Sequence, residues 1–193
     1  MYSLLKPFIF KIDPEMAHDF AIKSLKYNFL PEDLFRVENE EILNTKIFNR
    51  VIKNPIGLAA GFDKSAEVYN SLFKFGFGFI EIGTVTPVPQ PGNPKKRIFR
   101  LVEDKSIINR LGFNNKGLDK VVRNLDKKRN IIIGANIGKN FFTKNEDAYK
   151  DYLKCLNGLN TYVDYFAINI SSPNTKGLRA VSYTHLTLPT KCW

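Results

Sequence analysis

Residues 165–175 read YFAINISSPNT. We predict that this stretch begins as a short buried strand over 165–170 and then enters a polar turn. Pro173 disfavours helix at the residue before it, so Ser172 is expected in an extended conformation at the end of the strand. Amide and hydroxyl groups from Asn169, Ser172 and Asn174 then cluster at one strand end. In parallel α/β proteins ligands bind at that edge, and uncharged hydrogen-bonding groups suit a planar ligand.

Upstream of this stretch, apolar strands alternate with helices whose apolar residues recur at helical spacing. Continuous apolar strands in such an alternation indicate a parallel sheet with both faces covered. Four such units are half of an eightfold barrel, which normally needs about 250 residues. The predicted fold class is therefore α/β, a (β/α)8 TIM barrel represented over 41–181 by about its first four units. The predicted strands are 56–61, 79–85, 131–137 and 165–170, with hairpins at 47–52, turning at Asn49-Arg50, and at 97–108.

The first 40 residues have a different character, because two predicted short helices mix Phe and Leu with Lys. Asp13 is the expected N-cap of the second helix, with Pro14 at its first position. His18 is interpreted as a packed or surface histidine. One alternative is a helical pair packed on the domain. The other is contact with an anionic membrane surface, which would attract four lysines: Lys6, Lys11, Lys23 and Lys26.

Composition narrows the classes of partner. The formal net charge of +10 admits nucleic acid, an anionic membrane or anionic ligands. Basic residues are scattered, the densest cluster being 127–129, and neither zinc-finger spacing nor an aromatic RNA-binding signature occurs, so we expect no nucleic-acid partner. Cys155 and Cys192 are too few for a disulfide framework or a metal site, which favours a reducing compartment. No apolar run approaches the roughly 20 residues of a membrane-spanning helix.

The regular pattern stops after about residue 180. Residues 182–193 show neither helical period nor strand alternation, and no fourth crossover helix follows. We hypothesise that the native sequence ends near Val181 and that this tail is foreign to the fold.

Two further polar clusters follow predicted strands. Ala59, Ala60 and Gly61 would let a flat ring system approach the backbone closely. Lys64 could hold a carboxylate or the negative charge of a reduced flavin, or be a plain surface lysine. Residues 109–115 carry three asparagines and an arginine around a glycine, which suits either a loop cap or a hydrogen-bonding cage.

Five strings, in order along the chain, resemble the dihydroorotate dehydrogenase family. They are residues 54–64, 80–87, 109–115, 136–140 and 169–175. The resemblance is closest to the class 2, quinone-linked enzymes, because Ser172 stands where class 1 enzymes have cysteine and because the chain carries an N-terminal helical extension.

The resemblance implies FMN-dependent oxidation of dihydroorotate to orotate in pyrimidine synthesis. Ser172 would be the base, with Thr175 and Phe113 at the positions of a proton relay. The implied substrate contacts are Lys64, Asn109, Arg110, Leu111, Gly112, Phe113, Asn169 and Asn174. The implied FMN contacts are Ala60, Gly61, Phe62, Asp63, Lys64, Thr84, Asn136 and Asn169, and no metal is expected.

The family likeness also implies a tunnel between the helices of residues 1–40, through which membrane quinone reoxidises the flavin at the cytoplasmic face of the inner membrane. In this family the FMN phosphate site and a second flavin-contacting lysine lie in the later half of the barrel. We therefore expect the chain by itself to be inactive, with exposed strand edges that favour aggregation. Two other functions stay open: an unrelated barrel enzyme, such as another flavin reductase or a phosphate-sugar isomerase, and a basic nucleic-acid-binding module whose affinity would fall with salt.

Overall fold

The chain starts with two helices and a hairpin and then alternates strands with helices. The computed structural model describes residues 2–29, 41–126 and 130–170. In order, the elements are α1 (Tyr2–Ile9), α2 (Pro14–Lys26), β1 (Thr45–Ile47), β2 (Arg50–Ile52), β3 (Gly57–Leu58), α3 (Tyr69–Lys74), β4 (Phe79–Val85), β5 (Ile98–Leu101), β6 (Ser106–Asn109), α4 (Leu118–Asn124), β7 (Ile132–Ile137), α5 (Ala148–Leu159) and β8 (Tyr165–Ile168).

Four of these strands form one sheet in the order β3-β4-β7-β8, and every neighbouring pair is parallel. Parallel strands need crossover connections, and α3, α4 and α5 provide them. The predicted parallel sheet and its alternation with helices are confirmed. Because the strands run the same way, their carboxyl ends meet at one edge, which places the following loops side by side.

One face of the sheet is buried under the chain's own helices. Ile80 and Ile82 of β4 and Ile133 and Ile137 of β7 are completely buried. They belong to one core cluster with residues from the crossover helices, among them Leu72, Val121 and Leu159. The apolar stripes predicted for the three helices are therefore the surfaces that cover the sheet.

The opposite face carries polar and aromatic side chains, and glycine makes room for one ring. Tyr165 of β8 lies across Gly134 of β7, where an added Cβ would sit 2.1 Å from the Tyr165 ring. A side chain at this position would therefore displace the ring. Phe48 stacks on the same ring, with centroids 5.7 Å apart.

Two predicted elements differ from the structure. The first hairpin turns at Phe48 and Asn49, one residue earlier than predicted, with φ of 50° and 60°. A two-residue turn of this kind needs two positive φ values, and Asn tolerates one readily. The strand predicted over 56–61 is only Gly57–Leu58 and is half-buried rather than buried. Among the described residues β3 pairs with β4 alone, so one of its sides has no strand neighbour.

The N-terminal helix α2 is anchored to the body of the protein by charge. Asp13 accepts hydrogen bonds from the backbone N–H groups of Glu15 and Met16, which confirms the predicted N-cap. The Glu15 carboxylate forms two bonds with the Arg97 guanidinium, at 2.7 and 3.0 Å. Arg97 is buried and also donates to two backbone carbonyls of the loop before β5. This arginine therefore joins α2 to the loop before the second hairpin.

The outer surface of the two N-terminal helices is apolar in places. Phe8, Met16 and Phe20 are each more than 60% exposed. No helix in the described part of the chain combines the length and the apolar character needed to cross a membrane. The predicted basic cluster 127–129, the candidate residues Ser172, Asn174 and Thr175, and the tail 182–193 lie outside the described residues.

Candidate functional site

A row of three polar side chains crosses the carboxyl ends of three neighbouring strands. Thr84 is the last residue but one of β4, Asn136 lies on β7 and Asn169 directly follows β8. Thr84 Oγ1 donates to Asn136 Oδ1 at 2.6 Å, and Asn169 Nδ2 donates to both Thr84 Oγ1 (3.1 Å) and Asn136 Oδ1 (3.2 Å). We call these three residues the amide row. The structure brings together three residues that the sequence predicted to share a site.

The position of Thr84 depends on an irregularity in β4. The register of β4 against β7 shifts between Ile82 and Val85. Simple alternation from Glu81 would turn position 84 toward the helices, whereas the shift turns Thr84 to the polar face. Gly83 lies at this shift with φ of +109°, and an added Cβ there would be 2.3 Å from the carbonyl oxygen of Asn136. Only glycine lets the two backbones approach this closely.

Glu81 and Tyr165 extend the row along the sheet, and the sequence analysis missed both. The Glu81 carboxylate accepts from Asn136 Nδ2 at 3.0 Å and from the Tyr165 hydroxyl at 3.2 Å. Burial and the charge of Glu81 raise the pKa of Tyr165, so its hydroxyl stays protonated. A glutamate between two fully buried isoleucines was the available signal, because an acidic residue inside an apolar strand needs a partner.

Gly61 exposes bare backbone beside the amide row. Its N–H donates to the carbonyl of Gly83 at 2.9 Å, which holds the loop after β3 against β4. The φ of Gly61 is +110°, and an added Cβ would have no described atom within 4 Å. A flat group could therefore lie against this backbone, as the small residues Ala60 and Gly61 predicted.

Asp63 holds the same loop together. Its buried carboxylate accepts from the backbone N–H groups of Glu67 and Val68 at 2.7 and 2.8 Å. Burial raises the pKa of Asp63 although these two hydrogen bonds oppose that change. The carboxylate of this candidate cofactor residue is thus engaged inside the loop.

Lys64 points its charge into a partly dry environment. Burial lowers the pKa of Lys64, and the carboxylate of Glu15 acts in the opposite direction. A cation in such a place gains from an anionic partner, because the pairing offsets part of the desolvation. Lys64 is therefore suited to hold a carboxylate, and the alternative of a plain surface lysine does not agree with its burial.

A cavity of about 890 Å³ lies between α2, the loop after β3 and the second hairpin. Its lining includes His18, Gly61, Phe62, Lys64, Asn109 and Leu111. His18 meets the Phe62 ring edge-on with centroids 5.0 Å apart, and burial, with the charge of Lys64, lowers the pKa of His18. His18 was interpreted from the sequence as a packed or surface histidine, and its place at a cavity was not predicted.

Asparagines of the loop 109–115 line the cavity, and one of them also forms hydrogen bonds that support the loop. Asn109 and Asn114 line the cavity, and Asn114 Oδ1 is buried without a partner among the described residues. Asn115 also lines the cavity, and it donates to Thr86 Oγ1 and to the carbonyl of Phe113, at 2.8 and 2.7 Å. All three asparagines of the predicted cage therefore line the cavity, and Asn115 supports the loop as well.

Three other candidates of this loop have defined places. Arg110 donates to the carbonyl of Lys96 at 3.1 Å and lies over the Phe99 ring, so its guanidinium is engaged with the strand and loop next to it. Gly112 has φ of +72°. The Phe113 ring lies near Thr84, since an added Cβ at Gly138 would contact both side chains.

Parallel strands joined by helices, with polar groups gathered at the carboxyl ends, define the class of parallel α/β proteins that bind ligands at this edge of the sheet. The model of the dihydroorotate dehydrogenase family matches residues 42–188. The chain therefore belongs to the dihydroorotate dehydrogenase family.

Known proteins resemble the chain over most of its length. A protein from Christiangramia forsetii named dihydroorotate dehydrogenase (quinone) is 51% identical over 184 residues, covering 92% of this chain and 54% of that protein. A protein of the same name from Idiomarina loihiensis is 49% identical over 185 residues, covering 95% and 55%. A crystal structure of DHODH from Eimeria tenella in complex with ferulenol superposes with a TM-score of 0.81 at 45% identity, covering 90% of this chain and 48% of that one.

The chain spans about half the length of the curated relatives it matches. Its fold is an α/β TIM barrel represented by about the first four β/α units, with an N-terminal helical extension, as predicted. The quinone-linked class predicted from the sequence agrees with the names of these relatives.

Proposed function

We propose that this chain is the first half of the barrel of a complete enzyme that oxidises dihydroorotate to orotate, with FMN as cofactor and a quinone as electron acceptor. The observation that carries the proposal is the amide row of Thr84, Asn136 and Asn169 beside the bare backbone of Gly61. The reaction belongs to the synthesis of pyrimidines. The family and the names of the relatives support this substrate.

The described residues fit a flavin on geometric grounds. The open space at Gly61 suits a planar ring, and the amide row offers hydrogen-bonding groups along one side of it. When bound, FMN would supply the hydride acceptor, and the protein would hold and orient it. The residues proposed to hold it are Ala60, Gly61, Phe62, Asp63, Lys64, Thr84, Asn136 and Asn169.

The substrate is proposed to lie where Lys64, Asn109 and Leu111 line the same cavity. The ammonium of Lys64 would pair with the carboxylate of dihydroorotate, and the pairing would relieve the desolvation that lowers its pKa. Fixed amides would hold the ring, and such positioning is a large source of acceleration. The proposed contacts are Lys64, Asn109, Arg110, Leu111, Gly112, Phe113, Asn169 and Asn174.

Ser172 is proposed to take the proton from C5 of the substrate as the hydride leaves C6. It follows Asn169 by three residues and lies outside the described part of the chain. A serine hydroxyl is a poor base in water, so the site must exclude solvent and pass the proton onward. Thr175 and Phe113 are at the positions proposed to pass the proton onward from Ser172.

Replacing Ser172 by Ala in the complete protein tests the assignment. We expect Ser172→Ala to abolish the reduction of a dye by dihydroorotate while flavin absorbance is retained. Ser106→Ala, at an exposed serine of β6, serves as the matched control and should leave the rate unchanged. Dihydroorotate oxidation at an undiminished rate in Ser172→Ala would contradict the proposed role.

The N-terminal segment, residues 1–40, is proposed to bind an anionic membrane surface and to admit quinone. Support comes from the exposed Phe8 and Phe20 and from the cavity that lies between α2 and the candidate site. The proposed location is peripheral, on the cytoplasmic face of the inner membrane. We expect Phe8→Ser with Phe20→Ser to weaken binding to anionic lipid vesicles. Phe142→Ser, at an exposed phenylalanine between β7 and α5, is the control and should bind as the wild type.

A further inference from the structure

Glu81 is an acidic residue in the middle of a strand whose neighbouring positions are fully buried. Ile80 and Ile82 face the helices, while the half-buried carboxylate of Glu81 lies on the polar face. It accepts from Asn136 Nδ2 at 3.0 Å and from the Tyr165 hydroxyl at 3.2 Å. Removing such a group from water is costly unless donors surround it, and here two donors do so.

The carboxylate sets the direction of the hydrogen bonds in the amide row. Both side-chain oxygens of Glu81 accept hydrogen bonds, so Asn136 turns its Nδ2 toward Glu81 and its Oδ1 toward Thr84. The single hydroxyl proton of Thr84 is then used on Asn136 Oδ1. The Thr84 oxygen can therefore only accept from the third member, which it does through Asn169 Nδ2.

Tyr165 lies two strands away from Glu81, on the same face of the sheet, and holds its carboxylate. Its ring crosses the central strand β7 at Gly134, where there is no side chain to block it, and its hydroxyl reaches β4. Because that hydroxyl stays protonated, it donates to the carboxylate and keeps it in place. Glu81 is thus fixed by donors from β7 and β8 at once.

We infer that Glu81 is a positioning residue that fixes the hydrogen-bond direction of Asn136, Thr84 and Asn169, and through them the contacts these residues make with FMN. The inference rests on the proposed function. Glu81 acts through Asn136. Its loss therefore changes how the side-chain amides of Asn136 and Asn169 are oriented and removes neither of them.

Glu81→Gln in the complete protein is the sharpest test, because glutamine keeps the shape but adds a donor where the carboxylate only accepts. We expect the Kd of the apoprotein for FMN, measured by quenching of flavin fluorescence, to rise roughly tenfold. The absorption maximum of the bound flavin should shift as well. Tyr165→Phe keeps the ring and the Asn136 bond, so we expect a smaller rise of roughly threefold.

Ile133→Val is the matched control, since it removes one methyl group from the opposite face of the same sheet. It should lower the unfolding midpoint of the apoprotein at least as much as Glu81→Gln does, yet leave the Kd for FMN unchanged. A wild-type Kd in Glu81→Gln would overturn the inference and leave the proposed function standing. If Glu81→Gln does not fold, a wild-type Kd in Tyr165→Phe overturns it equally. A wild-type protein that binds no FMN would overturn the proposed function, and the inference with it.

Discussion

The two faces of the four-stranded sheet are made by the same strands but differ in what completes them. On one face, Ile80, Ile82, Ile133 and Ile137 are fully buried by the chain's own helices. On the other, half-buried polar side chains bond to one another and border open space at Gly61. Alternating side-chain direction along a strand therefore separates the residues that stabilise the fold from those that can bind a ligand.

The first prediction has the largest expected effect. Its failure would contradict the difference between the two faces of the sheet. We expect the 193-residue chain by itself to retain no flavin, because the family resemblance implies that the FMN phosphate site lies in the later half of the barrel. The complete protein should retain FMN. Absorbance after desalting, and dye reduction with dihydroorotate, measure the difference. Bound, reducible flavin in the 193-residue chain would contradict the prediction.

Ile133→Ala tests the helix-covered face in the complete protein. We expect a loss of about 2–5 kcal/mol in the free energy of unfolding, because the change removes buried apolar atoms and leaves a cavity. Urea denaturation measures it. Ile107→Ala, at an exposed position of β6, should stay within about 0.5 kcal/mol. Equal losses in the two variants would show that the helix-covered face is not the stabilising one.

Glu15→Gln tests the anchor of α2, which covers the cavity on the polar side. We expect a loss of about 1.5–3 kcal/mol, since a charge-assisted pair with buried Arg97 is weakened. Lys95→Gln is the control, because Lys95 is exposed and 3.9 Å from the same carboxylate. It should change stability by less than about 1 kcal/mol.

The contribution of Glu15 should also depend on pH. The hydrogen bond from Arg97 lowers the pKa of Glu15 below its ordinary value of 4.5. The ionised pair therefore stabilises the fold fully above that ordinary value, and this stabilisation is lost as the pH falls through the folded-state pKa. The difference in stability between wild type and Glu15→Gln should hold from pH 7 to about pH 5 and then shrink as the pH falls through the folded-state pKa, which lies below 4.5. A difference that stays constant as the pH falls through the folded-state pKa would argue against the pair.

Thr84→Val has the smallest expected effect on stability. It best separates the role of the polar face in binding from the role of the helix-covered face in stability. We expect the free energy of unfolding to fall by about 0.5–1.5 kcal/mol, because one net hydrogen-bonding group is removed from a half-buried row. The affinity of the complete protein for FMN should fall as well. Thr161→Val, at an exposed threonine after α5, should change neither quantity. Unchanged FMN affinity in Thr84→Val would remove the amide row from the proposed site.

Local sequence patterns predicted the elements whose causes are local. The apolar run of β4, the helical stripes and the Asp13 cap each depend on a few consecutive residues, and each was predicted. A strand was predicted where β3 lies, but its short length and half-burial could not be predicted, because they depend on which strands flank it. The turn at Phe48 and Asn49 was misplaced by one residue because several registers satisfy the same pattern.

The candidate site was predicted only in part, because some of its contacts join residues that are far apart in the sequence. The resemblance to the dihydroorotate dehydrogenase family placed Thr84, Asn136 and Asn169 at one site, whereas residue type and position had indicated only Asn169 at a strand end. Type alone could not show that Asn115 supports its own loop, because an amide can bond to backbone or to ligand equally well. Nor could it show the contact of Tyr165 with Glu81, which joins residues 84 positions apart across an intervening strand.

The order β3-β4-β7-β8 has a consequence for inheritance. Thr84 and Asn136 lie on β4 and β7, Asn169 directly follows β8, and these three strands are neighbours in the sheet. All three residues precede residue 170, so a crossover between two related genes downstream of that residue transmits the row intact. The remainder of such a barrel can then vary under selection while these contacts pass unchanged to the hybrid descendant.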